Sequence, residues 1–135
     1  MEIQIKETRK IPEDQLLDLY KLNKWSSAEK PALLYKALIN SHTLISAWVN
    51  GKMVGIANAI SDGYLVVYYP HMLVHPDYQG KDIGSKMMAA MQNKYEHYHQ
   101  QMLTADDKAI DFYKKCGFKK AGKTESMWIY KGTDH

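Results

Sequence analysis

The stretch from Val74 to Met91, VHPDYQGKDIGSKMMAAM, constrains this chain more than any other. A short apolar run, Met72-Leu73-Val74, stops at His75-Pro76. A helical pattern with Ile83, Met87, Met88 and Met91 on one face begins a few residues later. Between them lies the glycine-bearing loop Gln79-Gly80-Lys81-Asp82-Ile83-Gly84-Ser85. A strand that passes through such a loop into a helix leaves backbone N–H groups unpaired at the positive end of the helix dipole, a natural cradle for phosphate. The strand before the loop can offer its own backbone to the rest of an extended ligand.

The remaining elements read in order around this junction. Ile3 and Ile5 alternate with polar residues as in a strand. Pro12-Glu13-Asp14 opens a helix whose apolar residues are Leu16, Leu17, Leu19 and Tyr20. Residues from Lys21 to Lys30 form a loop, and Pro31 starts a second helix through about Ile39. Thr43 to Val49 and Lys52 to Ile60 are partner strands joined by Asn50-Gly51, a strong hairpin signal. Asp62-Gly63 turns into the strand Tyr64 to Tyr69, which Met72 to Val74 continue past an edge or bulge at Pro70. The central helix runs from about Ile83 to His97. Met102-Leu103-Thr104 is a short strand, and Asp107 to Cys116 a helix stopped by Gly117. Phe118 to Ala121 and Ser126 to Tyr130 read as two closing strands. There is no repeat, linker or low-complexity segment, so a single domain over residues 1–135 is expected.

Composition narrows the function classes. A net charge of +3 suits an anionic cofactor but falls short of the basic face of a nucleic-acid binder, so no nucleic-acid partner is expected. The single Cys116 excludes an intramolecular disulfide and a cysteine framework for metal. His97 and His99 have no Cys near them, and no metal is expected. The N-terminus has no apolar signal region, and no apolar run approaches the ~18 residues of a membrane span. A cytoplasmic chain without a membrane partner is the expectation. Ten Tyr and three Trp, each with an apolar body and a polar tip, suit a half-wet pocket as well as a core edge.

The strand followed by Val-His-Pro-x-Tyr-Gln-Gly-Lys-x-Ile-Gly and a helix resembles the acyl-CoA-binding motif of the GNAT superfamily of N-acetyltransferases. The segment Ala109 to Phe118, a helix carrying Phe112-Tyr113 and ending in Gly117-Phe118, is similar to that superfamily's second hallmark. Asn40-Ser41, Ser61-Asp62-Gly63-Tyr64 and Met127-Trp128 resemble a small single-domain subgroup similar to the plant plastid acetyltransferases of arylalkylamines or protein lysines. The resemblance covers nearly the whole chain. It implies a mixed α/β fold, with a mostly antiparallel six- to seven-stranded sheet flanked by about four helices. It also implies acetyl-CoA as co-substrate and direct transfer to a primary amine, most simply a small (aryl)alkylamine. Transfer to a protein lysine or N-terminus, and a non-catalytic CoA-binding domain, are the alternatives. A homodimer is compatible with the resemblance.

Carried over residue by residue, the resemblance implies backbone contacts from Leu73 and Val74 to the pantetheine. It implies a pyrophosphate cradle from Gln79 to Ser85 (Gln79, Gly80, Lys81, Asp82, Ile83, Gly84, Ser85), with Phe112 beside the cofactor. One residue departs from the pattern: Asp82 stands where the superfamily has glycine. Asp tolerates positive φ less readily than glycine, and its carboxylate repels phosphate or caps the amides that phosphate would use. Tyr113 matches the superfamily's general acid, or else packs its ring in the helix face. Asp106 could accept the amine proton, orient a water, or simply cap the helix. His71, with an ordinary pKa of ~6.5, could be a general base or a satisfied strand histidine. Tyr20 and Trp25 are natural lids of an amine pocket, with Tyr64, Tyr68 and Trp128 as floor and wall or as ordinary core and surface aromatics.

Overall fold

In the computed structural model, which describes residues 1–132, the sheet is built outward from one hairpin. Strands β2 (Thr43–Val49) and β3 (Lys52–Ser61) meet at Asn50 and Gly51, whose φ angles of 50° and 76° are those of a type I′ turn. Both strands are buried along most of their length, because helices lie on either face of the sheet. Helices α1 (Glu13–Leu22) and α2 (Pro31–Ile39) cover one face. There Leu16, Leu19, Leu34 and Leu38 pack with Leu44, Trp48, Met53 and Ile56. Helix α3 (Ile83–Lys94) covers the other, setting Ile83, Met87, Met88 and Met91 against Ile45, Ala47, Val54 and Ala57. A Cβ on Gly55 would stand 2.9 Å from Met87 Cε, so this glycine lets α3 lie close on the sheet.

Strand β1 (Gln4–Glu7) pairs antiparallel with the outer edge of β2. The other edge of β3 serves two short strands in turn, β5 (Met72–Val74) and then β4 (Val66–Tyr68). Ile60 pairs with Tyr68 and Ala57 with Met72, so three steps along β3 face four along its partner. The extra residue is a β-bulge at Tyr69-Pro70-His71, where proline has no N–H to give the ladder. The bulge also parts the sheet. Strand β6 (Gln100–Met102) runs parallel to β4, while β5 pairs with β3 alone. The far edge of β5 is therefore open, between the loop leading into α3 and the end of the chain's last helix, α4 (Ile110–Lys115).

Among the described residues, the mixed, mostly antiparallel sheet of six strands with four α-helices agrees with the expected fold. Several of the expected elements differ, the strand expected from Tyr64 to Tyr69 being only Val66–Tyr68 and the α-helix expected from Asp107 being Ile110–Lys115. Helix α3 ends at Lys94, not His97, because Tyr95 turns inward and its hydroxyl meets His42 Nδ1 at 2.6 Å. The following strand is Gln100–Met102, not Met102 to Thr104, because Tyr68 pairs with Met102. The expected closing strands at Phe118 to Ala121 and Ser126 to Tyr130 are not formed. Lys119, Lys120, Lys123 and Glu125 break the apolar pattern, and Met127, Trp128 and Ile129 are exposed with no sheet partner. Among the described residues no helix is long and apolar enough to cross a membrane.

Candidate active site

The open edge of β5 is the first part of the site. His75 N–H donates to Val54 O at 2.8 Å, and Asn58 N–H to His71 O at 3.1 Å. Residues 71, 73 and 75 thus turn their backbone groups into the sheet, and alternation turns those of Met72 and Val74 outward. Val74 turns its backbone outward, the direction a contact with an extended ligand needs. Leu73 does not: its backbone faces β3 and its side chain is buried under α1 and α2. Met72 faces outward in its place, because the bulge shifts the alternation by one. The Val74 carbonyl accepts from Asn23 Nδ2 at 3.2 Å and Gln79 Nε2 at 3.1 Å, tying the end of α1 and the start of the loop to this edge.

The loop delivers the helix amides beside that strand. Gly80 and Asp82 have φ of 78° and 64°, both left-handed. The first helical bond of α3 runs from Lys86 N–H to Asp82 O at 3.0 Å, so the amides of Ile83, Gly84 and Ser85 lie outside the helical ladder. The Asp82 side chain does not cap them, and it is exposed together with Gln79, Gly80, Lys81 and Ser85. A Cβ on Gly84 would stand 3.3 Å from Phe112 Cζ and 3.5 Å from Met72 Cε. Its bare backbone lets Phe112 of α4 and Met72 of β5 pack closely on the first turn of α3. His75 is structural, its Nδ1 accepting from Asp77 N–H at 3.1 Å.

On the α1 side of the sheet the bulge presents His71. Its Nδ1 is 2.6 Å from the Tyr20 hydroxyl, and the Trp25 ring meets its imidazole edge-on, centroids 4.8 Å apart. Asn58 grips its backbone twice, since His71 N–H also donates to Asn58 Oδ1 at 3.1 Å. Asn58 Nδ2 in turn donates to Ser41 Oγ at 3.0 Å. Burial pushes the His71 imidazole down to about 4 and the Tyr20 phenol well above its usual range. An imidazole titrating near its ordinary value is therefore not what the fold provides.

The structure brings Tyr20, Trp25 and His71 together but not the remaining aromatics. Tyr68 sits on the same face, half-exposed, aligned with Ile60 and Met102 across three strands. Tyr64 is 89% exposed at a turn held by Asp62, so it is no floor to this pocket. Trp128 is 72% exposed and stacks on Tyr130 at 4.3 Å. Its stacking partner Tyr130 meets the Trp25 loop, the Tyr130 hydroxyl lying 3.1 Å from Ser26 Oγ. A separate cavity of about 400 Å³ between α1 and the start of β3, lined by Lys21, Lys52 and Met53 among others, contains none of the expected catalytic groups.

Tyr113 occupies the opposite face, half-buried on α4 between the rings of Phe112 and Phe118. Burial, then the nearby Cys116 and Asp106, pushes its phenol up to about 12, so it holds its proton throughout the neutral range. Asp106 is exposed just before the turn that leads into α4. Its backbone carbonyl accepts from Ala109 N–H at 2.8 Å, but its side chain does not cap the helix. The capping role open to it in the sequence is not the one it adopts.

Comparison with known proteins shows the family and the fold. The acetyltransferase (GNAT) domain family matches residues 9–128. An uncharacterized N-acetyltransferase ycf52 from Gracilaria tenuistipitata var. liui is 35% identical over 49% of the chain, a match spanning 37% of that protein's length. A GNAT-family acetyltransferase, SP0256 from Streptococcus pneumoniae TIGR4, superposes with a TM-score of 0.83. It has 26% identity, with 96% of this chain and 99% of that one covered. The aminoglycoside N-acetyltransferase AAC(6')-Iy, solved with CoA, has the same fold at 15% identity, with a TM-score of 0.70 and 96% and 94% of the two chains covered. The chain belongs to the GNAT acetyltransferase domain family.

Proposed function

We propose that this protein is an acetyl-CoA-dependent N-acetyltransferase that moves an acetyl group directly to a primary amine, most simply a small arylalkylamine. The observation that carries the reading is the open β5 edge running into the uncapped first turn of α3, with Gly84 leaving room where Phe112 and Met72 converge. Outward backbone groups of Met72 and Val74 suit the amide-bearing pantetheine arm. The amides of Ile83, Gly84 and Ser85 suit its pyrophosphate.

Bound acetyl-CoA supplies a thioester, whose carbonyl a neutral amine attacks while the C–S bond breaks to leave an amide and a thiol. The residues must exclude water, orient the amine and provide the thiol proton. Orientation in a ternary complex can account for about 7–11 kcal/mol of the barrier reduction. Tyr113, protonated at neutral pH, is the proton donor to sulfur and recovers its proton from solvent. Asp106, exposed at the turn before α4 and near enough to Tyr113 to raise its phenol, takes the amine's proton outward. Trp25 and His71 give the α1 face an aromatic lining that favours a flat or cationic amine, with Tyr20 fully buried behind them and not the lid expected from the sequence.

The expected test is an acceptor screen with arylalkylamines, polyamines, aminoglycosides and lysine peptides, detecting free CoA. Turnover with an arylalkylamine and none with lysine peptides supports the reading. Turnover confined to peptides moves it to a protein acetyltransferase, and no turnover with any amine leaves the CoA-binding domain alone.

A further inference from the structure

We infer that His71 acts as a neutral hydrogen-bond donor, through its Nε2–H, to an oxygen of the reacting groups, and that buried Tyr20 is the positioning residue that fixes this tautomer. The inference rests on the acetyl-transfer reading for the identity of that oxygen, the thioester carbonyl. It does not rest on that reading for the tautomer itself.

Tyr20 is 0% exposed, and among the described residues its hydroxyl has one partner, His71 Nδ1 at 2.6 Å. The proton between them can belong to either ring. If it belonged to Nδ1, the phenol's own hydrogen would be buried with no acceptor, an orphaned donor of the kind folded proteins avoid. If it belongs to the phenol, Tyr20 donates to an unprotonated Nδ1, and Nε2, which carries the imidazole's hydrogen, is not among the buried side-chain atoms left without a partner. Neutral imidazole then carries its hydrogen on Nε2. Tyr20 cannot act as a proton sink, because burial makes its phenol a far weaker acid than usual. A relay from amine through His71 to Tyr20 would end in a buried phenol with nowhere to pass the proton.

The surroundings hold the ring for donation. Trp25 meets the imidazole edge-on with an interplanar angle of 82°, and Tyr20 and Trp25 meet each other at 87°. The backbone at the bulge is fixed by the two-way pairing with Asn58, and Asn58 is braced by Ser41, whose Oγ donates to Ala37 O at 2.9 Å. Such a donor is aimed in advance at charge that develops on the carbonyl oxygen, so it needs no reorganisation during the reaction. The proton balance is unchanged. The amine's proton leaves to solvent by way of Asp106, sulfur takes one from Tyr113, and His71 keeps its own throughout.

Long-range proton–nitrogen NMR of the intact chain reads the tautomer directly, with His71 assigned by the signals lost in His71→Gln. The expected result is a pyridine-like Nδ1 and a pyrrole-like Nε2, with Tyr20→Phe giving a mixture of tautomers. A protonated Nδ1 in the wild-type protein overturns the inference. With an active acceptor in hand, His71→Gln, which keeps a donor but offers no imidazole base, should retain at least ~100-fold more kcat than His71→Leu. Equal losses in the two variants overturn the donor role. Absence of acetyl transfer by the wild-type protein, with the tautomer as described, removes the acetyl-transfer reading instead.

Discussion

Replacing Asp82 tests how the loop treats its ligand. Asp82 begins α3 in the left-handed region, is exposed, and leaves the helix amides uncapped, so its charge stands beside the proposed phosphate site without bonding to it. Two unit charges ~7 Å apart in water interact by roughly 0.6 kcal/mol, and a pyrophosphate presents about two such charges. With a Debye length of ~8 Å at physiological salt, about half of that repulsion survives, equivalent to roughly threefold in affinity. Asp82→Asn removes the charge while keeping a side chain that tolerates positive φ, and Asp82→Gly removes both. Calorimetric titration with CoA should show both variants binding about threefold more tightly than wild type at physiological salt, with the gap narrowing near 1 M salt. Unchanged or weaker binding by Asp82→Asn would refute the electrostatic reasoning and give the carboxylate a positive part in the site.

Two further outcomes follow from the same geometry. Tyr113→Phe should lower kcat while leaving the Kd for CoA nearly unchanged, and because the wild-type phenol titrates only at about 12, it should impose no alkaline limb on kcat below about pH 10. Equal kcat in the two proteins would remove Tyr113 from the chemistry. For His71, the folded-state pKa of about 4 lies below the ordinary 6.5, so the unfolded chain takes up the proton first on acidification. Its contribution to stability is present above about pH 6.5 and is lost as pH falls toward 4, up to about 3 kcal/mol in all. Denaturant unfolding from pH 7 to 4 should therefore fall less steeply for His71→Gln than for wild type, and parallel slopes would show that the imidazole is not buried as described.

Much of the fold was legible because its signals are local. Asn50-Gly51 specifies a tight hairpin, Pro12 and Pro31 open helices, and Gly117, with φ 98°, ends one. The loop from Gln79 to Ser85 was legible for the same reason, since glycines at a strand-to-helix junction act through the backbone. What could not be read from the sequence depends on pairing across the sheet. Pro70 marks a bulge, but whether Leu73 or Met72 faces the open edge depends on which residue the bulge leaves unpaired. Tyr64, Tyr68 and Trp128 are equally aromatic in the sequence, and only the path of the chain separates them from Tyr20 and Trp25. The role of His71 was hidden for a different reason. Its chemistry is set by Tyr20, fifty-one residues away in sequence and 2.6 Å away in space.

On the reading proposed above, one backbone surface, the open β5 edge and the first turn of α3, holds acetyl-CoA. Hydrogen–deuterium exchange with and without acetyl-CoA reads that surface directly, because among the described residues these amides have no strand or helix partner of their own. The cofactor should slow exchange at Met72, Val74 and from Gly80 to Ser85, with little change along β1 or the β2–β3 turn. Binding that protects another surface, or leaves these amides unprotected, would contradict it.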